Sequence, residues 1–278
     1  MDEINPQLIP QPPQPPPQRH NPLLDRLKLP GETFTLPSGG LFYNDGEVLD
    51  YSVTGAEVHV HPMTTLDEIT LKTPDLLFNG QAVNQVFARC IPEVVNAGKL
   101  LQKDVDYLLA CLRKVSYGDA LRIDYKHDCK DAKEHSYEVD ISQFIRNAKR
   151  IDPTTVGEDF SITFPNGQTA KFQPLLYKDF VSVMQALNMS TEDDSPEQIQ
   201  NEMVKSLSGL VIQVEDITDR DLIVEWLKNV PPQFISIIND KTDAVSSWGT
   251  DFTATFKCLD CGEVIETSIP LNPLSFFM

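Results

Sequence analysis

In Lys103-Asp-Val-Asp-Tyr-Leu-Leu-Ala-Cys-Leu112, the residues Val105, Leu108, Leu109 and Leu112 recur at helical spacing, and Arg113 and Lys114 follow where a helix dipole is negative. The spacing predicts a helix over 103–115 that Gly118 closes off. Arg220-Asp-Leu-Ile-Val-Glu-Trp-Leu227 has the same order of polar and apolar positions and opens a second helix. Downstream, Ser116-Tyr-Gly118 is echoed by Ser247-Trp-Gly249, each followed by an alternating strand that reaches a cysteine, Cys129 in one stretch and Cys261 in the other. The chain therefore reads as two decayed copies of one module: helix, Ser-aromatic-Gly, strand, cysteine turn, strand. An insertion around Pro231-Pro232 lengthens the second copy. The expected fold class is α+β, with an extra hairpin and further helices between the copies.

Working outward, the alternating runs 120–125 and 136–140 predict one hairpin, and 251–257 with 263–269 predict another. Between them, Ser161-Ile-Thr-Phe-Pro-Asn-Gly-Gln-Thr-Ala-Lys-Phe172 carries Asn166-Gly167, the residue pair of a two-residue type I′ hairpin turn. Nearer the N-terminus, extended segments are expected at 40–43 and 56–61. Thr65 and Glu68 have capping-box spacing for a short helix that stops before Pro74. Further helices fit 80–90 and 176–188, and Ser195-Pro196 starts another.

Three regions follow. Residues 1–35 form a leader in which Pro and Gln alternate, favouring extended conformers that build no core. Residues 36–145 and 146–278 are two α+β domains, the second ending in a C-x2-C hairpin. Twenty-three Lys and Arg face 41 Asp and Glu, a net charge of −18 that makes nucleic acid and anionic membrane poor partners. The acidic start lacks a secretory pattern, and no apolar run reaches the roughly 20 residues a membrane helix needs. With five cysteines and no export signal, reduced thiols in a cytosol are expected.

Recognised catalytic motifs (GxSxG, HExxH, Walker A, GxGxxG) are not found, so the chain reads as a non-enzyme with no small-molecule substrate. Cys258-Leu-Asp-Cys261-Gly262 has the local shape of a zinc knuckle, but a closed zinc site takes four ligands. Candidates in the first copy are Cys129, His127 and His135, while Lys126, the position matching Cys258, cannot ligate. On that count two reduced cysteines in a hairpin turn are preferred, no cofactor is expected, and the alternative is a structural zinc on Cys258 and Cys261 with Cys129 and His127. A thiol-redox pair is disfavoured, because depressed thiol pKa values belong to helix N-termini and basic surroundings. His59 and His61 read as two strand histidines too few for a metal. For partner contact the expected anchors are Phe276 and Phe277, as terminal aromatics, with Pro15, Pro16 and Pro17 as a strap.

Leu36-Pro-Ser-Gly-Gly-Leu-Phe-Tyr43, His61-Pro-Met-Thr-Thr-Leu-Asp-Glu68, Leu112-Arg-Lys-Val-Ser-Tyr-Gly118, Phe256-Lys-Cys-Leu-Asp-Cys261 and Pro273-Leu-Ser-Phe-Phe277, in this order, resemble the T-even-type phage baseplate proteins associated with the hub of contractile tails. The resemblance implies a viral protein made in the host bacterial cytoplasm and acting in baseplate assembly through contacts with other tail proteins. Incorporation in the tail is the leading expectation. A transient hub-assembly chaperone absent from the virion, and a zinc-ribbon-like binding module, are the alternatives. The departure at Lys126 puts a paired zinc knuckle in doubt.

Overall fold

The long helix expected from the first module is the spine of the structure. In the computed structural model, which describes residues 23, 30–129, 133–154, 156–189, 196–271 and 276–277, elements occur in the following order. Strands β1 (Glu32–Thr35) and β2 (Glu57–Val60) precede helices α1 (Thr65–Leu71), α2 (Pro74–Phe78), α3 (Gln81–Cys90) and the spine α4 (Gln102–Tyr117). The hairpin β3 (Ala120–Lys126) and β4 (Glu134–Asp140) leads to α5 (Ile141–Arg146) and α6 (Val156–Asp159). Next come β5 (Ser161–Thr163), β6 (Thr169–Phe172), α7 (Tyr177–Met189), α8 (Pro196–Leu210) and β7 (Val211–Val214). Helices α9 (Arg220–Asn229) and α10 (Pro232–Ala244) then precede the hairpin β8 (Thr253–Lys257) and β9 (Val264–Ser268). The fold is α+β, with small antiparallel sheets, and no described helix is long and apolar enough to cross a membrane.

Helix α4 is buried on more than the face its periodicity marks. Besides Val105, Leu108, Leu109 and Leu112, the residues Tyr107, Ala110, Cys111 and Arg113 are shielded, because elements from both halves of the chain pack around it. Its first turn lacks a side-chain cap of its own. The Leu101 N–H donates instead to the Tyr43 hydroxyl at 2.9 Å, and the Gln102 N–H to the Leu175 carbonyl at 2.8 Å.

The segment 36–43 is a run of turns rather than the strand expected at 40–43, and β1, inside the expected leader, pairs with β2 in its place. The turns have a polar purpose. Asp104, fully buried in the first turn of α4, accepts hydrogen bonds from the Ser38 N–H at 3.1 Å, the Ser38 hydroxyl at 2.5 Å and the Tyr43 hydroxyl at 2.5 Å. Burial pushes its carboxyl up to about 6 against these donors, which pull it down. At α1 the capping box is built one residue earlier than expected: the Thr64 N–H donates to Asp67 Oδ2 at 2.8 Å and the Asp67 N–H to Thr64 Oγ1 at 3.4 Å. Asp67 also receives Arg89, which leaves Glu68 to pair with Lys72 at 2.6 Å.

The turn between β5 and β6 differs from the type I′ expectation. Pro165 has no N–H for the ladder, so pairing closes one residue further out: the Phe164 N–H donates to the Gln168 carbonyl at 2.8 Å and the Gly167 N–H to the Phe164 carbonyl at 2.9 Å. Gly167, at φ +86°, takes the left-handed position alone. The expected hairpin is also widened to three strands by β7, and α10 fills the insertion at Pro231-Pro232; neither was expected from the sequence.

Among the described residues two hydrophobic clusters result, and they do not respect the expected boundary at 145/146. One gathers α3, α4 and β2 with Ala254 and Ile269 of the last hairpin region and with Phe276 and Phe277. The other gathers β5, β6 and β7 with α8, α9 and α10. Residues from Gly31 onward form one compact unit, because the chain returns from the second cluster to complete the first. Phe276 and Phe277, expected as exposed anchors, are 3% and 0% exposed. They are core residues: burying two rings gains more than solvent exposure allows. The proposed strap residues Pro15, Pro16 and Pro17, and the cap at Ser195, lie outside the described residues.

Candidate metal centre

The hairpins β3–β4 and β8–β9 pack against each other, and aromatic residues carry the contact. Phe256 of β8 stacks on Tyr137 of β4 with ring centroids 4.1 Å apart and meets Tyr125 of β3 edge-on at 5.6 Å. Polar contacts then align the tips. The Leu259 N–H donates to the Tyr137 hydroxyl at 3.3 Å, the Lys133 N–H donates to Asp260 Oδ2 at 3.0 Å, and His135 Nε2 lies 2.9 Å from the same carboxylate oxygen. The Lys133 N–H first, and then His135, hold the Asp260 carboxyl below its ordinary range.

This packing brings the two cysteine turns together. In the first, the Cys129 N–H donates to the His127 carbonyl at 3.0 Å, so the two side chains leave one tight bend. In the second, the Cys258 N–H donates to the Glu263 carbonyl at 2.8 Å and the Gly262 N–H to the Cys258 carbonyl at 2.9 Å, with Gly262 at φ +76°, a value glycine adopts without strain. Hydrogen bonds from the Cys261 backbone N–H and then the Asp260 backbone N–H pull the Cys258 thiol down to about 6, while burial pushes it the other way. Across the gap the Cys129 thiol is pushed up to about 12 by burial and by the neighbouring sulfurs.

One ligand atom from each of His127, Cys129, Cys258 and Cys261 lies within 4.8 Å of the other three. Cys129 Sγ and Cys258 Sγ are 4.0 Å apart, and Cys261 Sγ is 3.4 Å from His127 Nδ1. His127 Nε2, the outward nitrogen, faces Glu263 Oε2 at 3.8 Å. These are the four residues considered for zinc from the sequence. The objection raised by Lys126 falls away, because the first turn contributes His127 and Cys129 two positions apart and needs no residue in register with Cys258. His135 belongs to the Asp260 contact. Asp260 and Glu263, which were not singled out from the sequence, support the cluster, and the signal for them was only their adjacency to the cysteines. Elsewhere, His59 pairs with Glu93 at 3.2 Å, and Cys90 and Cys111 are buried away from the tips.

A second feature is a cleft of about 810 Å³ between α2, α4, α7 and the end of β9, lined by Phe78, Val105, Asp106, Tyr177, Phe180 and Leu271 among others. Burial pushes the Asp106 carboxyl up to about 7, opposed by the Gln102 amide, which donates to it at 2.8 Å, and by Lys103. Tyr177 faces it from α7. Because its folded pKa lies above the unfolded value, ionised Asp106 costs stability above about pH 7, and the cost disappears as pH falls below the unfolded value. Asp106→Asn is therefore expected to stabilise the protein by about 1–2 kcal/mol at pH 8 and to lose most of that advantage by pH 4–5, measured by urea unfolding.

Comparison with known proteins gives one family. The sequence model described as T4 bacteriophage base plate protein matches residues 47–277, most of the chain and all of the cluster. No curated protein and no solved structure matches it.

Proposed function

Because the chain belongs to the T4 bacteriophage base plate protein family, we propose that it is a non-enzymatic part of the tail baseplate, acting in hub assembly through contacts with other tail proteins. The family match over 47–277 carries this reading. The surface chemistry is compatible with it: a net charge of −18 favours a basic partner surface, and such complementarity mainly accelerates encounter. Partner association should accordingly slow as salt rises.

Retention in the finished tail is the preferred form of the proposal, with the protein made in the host cytoplasm and carried into the virion. Quantitative mass spectrometry of purified tails beside infected-cell lysate tests it. A fixed copy number per tail is the expected result. Abundance in lysate with absence from tails would establish the second reading, a chaperone that is released after the hub forms. Normal tail assembly when the gene is deleted would overturn both.

A further inference from the structure

We infer that His127, Cys129, Cys258 and Cys261 bind a structural zinc ion that staples the hairpin β3–β4 to the hairpin β8–β9.

The donor set and its spacing carry the inference. With Zn–S bonds of about 2.3 Å and Zn–N bonds of about 2.0–2.1 Å, a tetrahedral site places sulfurs about 3.8 Å apart and sulfur and nitrogen about 3.6 Å apart. The structure has 4.0 Å between Cys129 and Cys258 and 3.4 Å between Cys261 and His127, with every donor within 4.8 Å of the rest. Three thiolates and an imidazole make a closed Cys3His set, with no open position for catalysis and the softness that zinc prefers.

The surroundings are those of a ligand site. The knuckle backbone is already folded, with the Cys258 N–H donating to the Glu263 carbonyl and the Gly262 N–H to the Cys258 carbonyl. His127 offers Nδ1 to the cluster while Nε2 faces the Glu263 carboxylate, an arrangement that orients a metal-bound imidazole and selects its tautomer. Cys258 is only 3% exposed while Cys261 is exposed, so the ion sits at the edge of the aromatic contact with a short path to solvent.

The consequence concerns chain topology. Cys129 and Cys258 are 129 positions apart, and the second hairpin must return from the other hydrophobic cluster to reach the first. An ion bound by two ligands from each turn holds that return in place.

Metal analysis of the full chain, purified without chelator under reducing conditions, is the test. About one zinc per chain is expected, lost in Cys129→Ser and in Cys258→Ser and retained in Cys90→Ala. Should the variants fail to fold, the wild-type protein suffices. Cobalt added to the metal-free chain should show the ligand-field spectrum of a tetrahedral thiolate site. Zinc should protect Cys129, Cys258 and Cys261 together from alkylation in peptide mapping, and its removal should speed hydrogen exchange in β3–β4 and β8–β9. Less than about a tenth of an equivalent of zinc before and after reconstitution would overturn the inference. So would a Cys129–Cys258 disulfide in a parallel preparation isolated anaerobically without reductant, which would make the cluster a redox pair.

Discussion

Phe277→Ala should lower the unfolding free energy by about 3–5 kcal/mol, read as a lower urea midpoint at unchanged slope. The ring is fully buried, packs edge-on against Phe276 at 5.3 Å between centroids, and closes the cluster built on α3 and α4. The adjacent backbone is anchored as well, since Arg113 Nε donates to the Phe276 carbonyl at 3.1 Å. Removing the ring leaves a cavity that rigid neighbours cannot fill, and a total stability of about 5–15 kcal/mol makes the loss a large fraction. A surface anchor would behave differently, with stability changed by less than about 0.5 kcal/mol and only partner binding affected. The variant thus separates a role in this chain's own core from a role in docking.

Asp104→Ala is expected to cost about 3–5 kcal/mol, because it strands the Ser38 N–H, the Ser38 hydroxyl and the Tyr43 hydroxyl around a fully buried position. Tyr43 also accepts from the Leu101 N–H, so the first turn of α4 loses part of its cap. Asp104→Asn keeps an acceptor of the same shape and should cost distinctly less. The pH dependence has a definite sign. Burial raises the folded carboxyl to about 6, so wild-type stability from this group falls as pH rises from about 4 through 6, and the deficit of the alanine variant should be smaller at pH 7 than near pH 4–5. Urea unfolding of wild type and both variants at the two pH values measures it. A deficit that grew toward pH 7 would mean that the hydrogen bonds outweigh desolvation.

Much of the local structure was legible because its causes are local. The spacing of Val105, Leu108, Leu109 and Leu112 found α4, and alternation found the hairpins β3–β4 and β8–β9. The Cys258-to-Gly262 turn between two strands was legible, since the glycine that permits it stands next to the second cysteine. Local reading failed where a neighbour in space changed the outcome. Pro165 moved a turn by denying the ladder an N–H, and Thr64 displaced Thr65 as cap while Arg89 engaged the box's own Asp67. Helix α10 was hidden because Pro231-Pro232 read as an insertion, although proline suits the first turn of a helix.

The amino-acid sequence by itself determined the α+β class, the helix α4, the hairpins β3–β4 and β8–β9 and the net negative charge, since each depends on periodicity, turn chemistry or charge within a few residues. Only the tertiary structure decided where distant groups meet. His127 and Cys129 face Cys258 and Cys261 because Phe256 stacks on Tyr137. Asp104 is satisfied because the turns at 36–43 fold onto α4. The terminal phenylalanines are core because the chain returns to the first cluster after building the second. Such encounters are selected by the burial of apolar surface summed over the whole chain, a quantity that no short window of sequence contains.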